Sequence, residues 1–135
     1  NKYYEPFNAV SAVTRGTVTD GNIAFNRAVE NYKSGNFKAA ETGFSESMVS
    51  EPTFLQAHFF LGITEIELKN PSKATELLGE VANRKGDYAK EATWYLGLAY
   101  IKTGDKIRAS KCFELLAKSP GFYSDRSQKI LRCLR

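Results

Sequence analysis

Along this chain Val, Ile and Thr never alternate with polar residues for long enough to suggest a strand. The apolar positions instead group in stretches of helical length, separated by breaks. The last stretch shows the pattern most simply. Ile130, Leu131 and Leu134 fall on one helical face, and Arg126, Lys129, Arg132 and Arg135 fall on the other. Breaks occur at Ser34-Gly35-Asn36, Ser50-Glu51-Pro52, Lys69-Asn70-Pro71, Lys85-Gly86-Asp87, Thr103-Gly104-Asp105 and Ser119-Pro120-Gly121. Gly ends a helix because it tolerates the left-handed backbone of the cap. Asn or Asp starts the next one by accepting from free N–H groups. Pro71 suits a first helical turn, where its missing N–H costs nothing. The spacing predicts seven helices, over about 21–34, 37–49, 53–69, 71–84, 88–103, 106–118 and 123–134.

Three sets of markers share one period. Ala28, Gly62 and Gly97 lie 34 and 35 residues apart. So do Ala40, Ala74 and Ala109, and so do Phe44, Leu78 and Phe113. A recurring small residue lets paired helices approach, and the large residue four after each Ala lies one turn along the same face. It can fill the space between one hairpin and the next.

This pattern resembles the tetratricopeptide repeat, whose 34-residue unit reads Trp-x2-Leu-Gly-x2-Tyr, then Ala-x3-Phe, then Pro. Here Leu96-Gly97 is followed by Tyr100, and Ala109 by Phe113. Leu61-Gly62 precedes Ala74 and Leu78, and Ala40 and Phe44 precede Pro52. Trp94 stands one residue nearer its Gly than the pattern asks. Asn31 and Glu65 stand where the third unit has Tyr100, and Arg27 takes the Leu place of the first unit. A buried charge is costly, so Arg27 and Glu65 are expected to reach solvent at their tips. The resemblance covers about residues 21–121. It implies an all-α fold, an α-α superhelix of three helix hairpins (about 21–52, 53–87 and 88–121) plus a C-terminal capping helix over 123–134. The domain would span 19–135, after an extended arm over 1–18.

The resemblance also implies a function. In this family the first helix of each hairpin lines a groove that holds extended or helical peptides. The matching residues here are Phe25, Val29 and Tyr32 in unit one, Phe59, Ile63 and Ile66 in unit two, and Trp94, Leu98 and Ile101 in unit three. Polar neighbours in that register are Asn22, Lys33, Gln56, Glu67, Glu91 and Lys102. Phe25, Phe59 and Trp94 would form an aromatic row, and a bare apolar strip of that kind marks an interaction site. The alternative is a register shift of one, which makes the same residues ordinary core. The branch of the family that clamps a chaperone's terminal carboxylate uses Lys, Asn and Arg. The matching places here hold Phe25, Val29, Phe60 and Tyr95, which argues against such a receptor.

Composition changes the picture little. The 135 residues, 42% hydrophobic and 25% charged, suit one globular domain. No apolar run approaches the ~20 residues of a membrane span. The start at Asn1 is read as a processed form or a fragment. Tyr4-Glu5-Pro6-Phe7 followed by Thr14-Arg15-Gly16 resembles the lead-in of bacterial proteins with a membrane anchor and an extracytoplasmic tetratricopeptide domain. That resemblance implies a periplasmic or extracytoplasmic location. Net charge is +4, but residues 102–135 carry nine basic residues against three acidic ones, and the first 101 carry a net −2. A basic end can meet an acidic partner, a phosphate backbone or an anionic lipid. No aromatic-plus-Arg motif accompanies it, so nucleic acid is not expected.

Chemistry is hard to find. His58 is the sole histidine, beside Phe59 and Phe60, and reads as a packed side chain. Glu65 and Glu67 lie two apart and point to different faces. The glycines sit at helix ends and contacts, not in a phosphate loop. Cys112 and Cys133 are read as free thiols, although their helices are neighbours. No catalytic residue, metal site or cofactor is expected. The chain reads as a non-catalytic scaffold that binds a protein or peptide partner. The alternative is a regulatory or recruiting domain of a larger membrane-anchored or envelope assembly, its groove partly occupied by the arm. The arm carries Tyr3, Tyr4, Phe7, Val10 and Val13. Tethering raises its effective concentration at any apolar face of the same chain. Deleting residues 1–18 is therefore expected to lower the melting temperature, and an unchanged melting curve would sink the docked arm.

Overall fold

The computed structural model describes residues 20–84 and 86–134. The arm over 1–18 lies outside the described residues. Seven helices and no strand are found among those described: α1 (Asp20–Lys33), α2 (Phe37–Ser50), α3 (Leu55–Glu67), α4 (Pro71–Asn83), α5 (Ala89–Lys102), α6 (Lys106–Lys118) and α7 (Phe122–Leu134). Each begins and ends within about two residues of the sequence expectation. None is long and apolar enough to cross a membrane.

The chain divides into two compact units, Asn1–Asn70 and Pro71–Arg135. In the first, α1 packs on α2 and α2 on α3. In the second, α4 packs on α5, α5 on α6 and α6 on α7. Sequential neighbours thus pack in order, as in an all-α helical repeat. The division falls at Asn70 and Pro71, inside the second expected repeat.

One turn geometry recurs three times. Asn36 N–H donates to the Asn31 carbonyl at 2.8 Å, Asn70 N–H to Glu65 at 2.8 Å, and Asp105 N–H to Tyr100 at 2.9 Å. One residue earlier, Gly35, Lys69 and Gly104 donate to Tyr32, Ile66 and Ile101. These are the paired bonds of a Schellman cap, which satisfy carbonyls left free at a helix end. The residue at the centre has φ 81° at Gly35, 65° at Lys69 and 80° at Gly104. Lys69 is the one side chain held in this left-handed region among the described residues.

Capping at the next helix start differs from expectation. Only Asp105 behaves as foreseen: its Oδ1 accepts from Arg108 N–H at 3.0 Å, and Oδ2 accepts from Arg108 Nη1 at 2.7 Å. Asn36 makes no side-chain cap bond. Asn70 turns backwards instead, and its Nδ2 donates to Glu65 Oε1 at 3.3 Å.

The small markers lie where helices come closest. A methyl group built on Gly43 would stand 2.7 Å from Ala28 Cβ and 3.2 Å from the Ala24 carbonyl oxygen. One built on Gly97 would stand 2.6 Å from the tip of the Phe113 ring. Phe113 therefore fills space inside its own hairpin, against Gly97. Phe44 reaches both ways, with its ring centroid 5.6 Å from Phe25 in α1 and 5.7 Å from Phe60 in α3. Ile130 and Leu131 of α7 are buried, while Lys129 and Arg132 are exposed. That helix covers an apolar end of the second unit, as a capping helix must.

Gly43→Ala is expected to cost ~1–3 kcal/mol, the usual range for overpacking a tight contact. Gly79, inside α4, has nothing within 4 Å of the same position, so Gly79→Ala is expected to gain ~0.5–1 kcal/mol from helix propensity. Urea denaturation of both variants measures the two signs.

Candidate functional site

The nine residues expected to line an apolar groove do not form a bare strip. Phe25, Val29, Phe59, Ile63 and Leu98 are fully buried, and Tyr32, Ile66 and Trp94 are 5% exposed or less. Only Ile101 is half-exposed. Ring packing accounts for Phe25, Tyr32 and Trp94. In the first unit Phe25 of α1 lies 4.9 Å from Phe54 and 5.7 Å from Phe60, the latter edge-on. Tyr32 meets Phe37 at 5.6 Å and Phe60 at 6.0 Å, both edge-on. Phe60 is the ring that the others share. Aromatic pairs at these separations contribute ~0.5–1.5 kcal/mol beyond their buried area. The side of α1 assigned to a ligand is thus part of the core of its unit.

The second unit repeats the lesson. Trp94 of α5 meets the Phe113 ring edge-on at 5.4 Å and stacks on Tyr123 of α7 at 5.2 Å. Its indole holds three helices together. The accessible members of the same register are mostly polar. Asn22, Gln56, Glu67 and Glu91 are half-exposed, and Lys33 and Lys102 are exposed.

Two further expectations concern charge. Arg27 is exposed, as foreseen. Glu65 is not: it is fully buried. It lies in α3, where every residue from Ala57 to Ile66 is buried. Its carboxylate turns back to the Asn70 amide across the turn rather than out to water. The bond helps fix the turn that carries Lys69. His58 is buried, with Nδ1 donating to the Phe54 carbonyl at 3.0 Å.

Cys112 and Cys133 are both free, the first buried and the second exposed. Burial pushes the Cys112 thiol up to about 11, so little of it is the reactive thiolate near neutral pH. No group of three or more His, Cys, Asp or Glu among the described residues could hold a metal ion. Hydrogen bonds from Arg108 hold the half-exposed Asp105 carboxyl below its ordinary value.

Sequence reasoning missed Tyr123. It lies beyond the last repeat marker, in a helix read only for its apolar and basic faces. No periodic signal linked it to Trp94. Burial raises its phenol to about 12, with the Glu91 carboxylate adding to the rise and Arg126 opposing it.

Folding favours the neutral phenol, so this contribution is complete below pH 10 and is lost as the pH rises from 10 to about 12. Wild type is expected to lose stability more steeply across that window than Tyr123→Phe, which keeps the ring and removes the proton. Denaturant midpoints at stepped alkaline pH measure the difference. Equal slopes would contradict it. No protein-family model matches the chain, and a comparison with characterised proteins gives no match either.

Proposed function

We propose that this chain is a tetratricopeptide-type scaffold that binds a protein or peptide partner and performs no chemistry of its own. The observation that carries the reading is the threefold recurrence of one turn and one set of buried markers. The same capped turn closes at Gly35, Lys69 and Gly104. Ala40, Ala74 and Ala109 are each fully buried at the same place in the repeat. The step from that architecture to partner binding rests on the family resemblance, since a fold alone does not fix a function.

The burial of the apolar residues alters which surface the partner would meet. In the first unit the accessible positions of the ligand register are Asn22, Lys33, Gln56 and Glu67. In the second they are Glu91, Ile101 and Lys102. Recognition by such residues runs through hydrogen bonds and charge, with Ile101 as an apolar contact. Charged groups of this kind contribute more to specificity and association rate than to raw affinity.

Photo-crosslinkable residues at Lys33 and Lys102 test the reading, with Val49 and Leu115 on the outer faces of α2 and α6 as controls. Both controls are well exposed, at 83% and 65%. A partner is expected to crosslink from the first pair and not from the second. Crosslinking from the outer positions alone would overturn the proposed face.

A further inference from the structure

In α6 the side chains of Ala109, Cys112, Phe113 and Leu116 are buried. The opposite face of the helix is not purely polar. Ile107 and Leu115 are 73% and 65% exposed, and the exposed Lys111 lies midway between them in the chain. Residues four apart on a helix are neighbours along one stripe, so Ile107, Lys111 and Leu115 form a row. Lys118, three residues past Leu115, extends the row and is exposed as well. One exposed apolar side chain is ordinary. Here two share a row with two lysines, whose stems can lie along apolar surface while their heads stay in water.

We propose that the outward face of α6 rests on an anionic lipid surface. Lys111 and Lys118 meet the lipid phosphates, while Ile107 and Leu115 sink to the boundary between headgroups and chains. Helices held in a bilayer interface combine attraction to anionic lipid with buried apolar area. A nucleic-acid backbone would use the lysines alone, because its affinity comes from neutralised phosphates. It would gain nothing from Ile107 and Leu115. The contact is peripheral, since no described helix is long and apolar enough to cross a membrane.

Charge complementarity singles out an anionic surface. Residues 102–135 hold nine basic residues against three acidic ones. On α6 itself Lys106, Arg108, Lys111 and Lys118 stand against one acid, Glu114. Arg108 is bound to the Asp105 carboxylate at 2.7 Å, so those two charges neutralise each other. Three lysines and Glu114 remain, all exposed. Glu114 follows Lys111 by three residues on the same side, so it weakens the contact without reversing its sign. Lys129 and Arg132 of α7 are exposed and add to the field, and the exposed Asp125 subtracts from it. Each cation near an anionic bilayer adds to binding, within about a Debye length of the surface.

The full chain is sedimented with sucrose-loaded vesicles of two kinds: pure phosphatidylcholine, and phosphatidylcholine with phosphatidylglycerol in equal parts. Binding to the anionic vesicles is expected at low salt, and it is expected to fall steeply as salt is raised. Neutral vesicles are expected to bind about tenfold more weakly or worse. Lys111→Ala with Lys118→Ala is expected to cost about tenfold on the anionic vesicles. Ile107→Ser with Leu115→Ser is expected to cost a similar factor. Lys129→Ala with Arg132→Ala, on α7, is expected to cost less than the α6 lysine pair. Three results would overturn the proposal: no preference of the wild type for anionic vesicles, an Ile107 and Leu115 variant that binds like the wild type, or an α7 pair that matters as much as the α6 pair. The second, with retention on heparin, would mean that the lysines serve polyanions in general. The vesicle comparison uses the unmodified chain, so a misfolded variant does not spare the idea. Lipid binding and the crosslinking at Lys33 and Lys102 are separate readouts, and either can fail without the other.

Discussion

Two helices of a hairpin can pack closely only if something small stands where their surfaces meet. In α1 and α2 the contact is Ala28 against Gly43, with no room for a methyl group between them. In α5 and α6 it is Gly97 against the end of the Phe113 ring. The remaining packing follows from these approaches. With the backbones close, Phe44 reaches both Phe25 and Phe60, and Trp94 spans Phe113 and Tyr123. Bulk at either contact would push the rings apart, and buried rings lose their contacts over fractions of an ångström.

The turns add a second constraint. Gly35 and Gly104 take left-handed backbone at little cost, whereas Lys69 takes it with a side chain attached. Such residues persist when their surroundings fix them. Around Lys69 the fixing bonds are those from Asn70 to Glu65, one from the backbone and one from the side-chain amide. A charged residue at a buried position and a strained residue in a turn are two irregularities of the repeat. They occur four residues apart and are joined by one neighbour.

Burial of the aromatic row also changes the surface that a partner would meet under the proposed scaffold reading. A groove walled by Phe, Trp and Ile would hold a partner mainly by the hydrophobic effect, without direction. The accessible residues of that register are polar apart from Ile101, so under the proposed reading a partner would be held mainly by geometry and charge.

Much of the helical order was legible from the chain. Breaks at Gly, Asn, Asp and Pro located seven helices, because those residues act through their own backbone or through neighbours within a turn. The period of 34 to 35 residues marked the close contacts at Ala28 and Gly97 for the same reason: a repeated unit must repeat its tightest point. The direction of each side chain was not legible. Phe25 and Trp94 could equally have faced a ligand or a core, and one step of register separates the two. Glu65 looked like a solvent-seeking charge, yet its surroundings bury it beside Asn70. Tyr123 carried no periodic mark at all. Sequence by itself determined where helices start, stop and come close, since local backbone preferences and spacing set those. Tertiary packing alone decided which faces are core, that Glu65 is buried and that Tyr123 stacks on Trp94, since these depend on residues brought together from different helices.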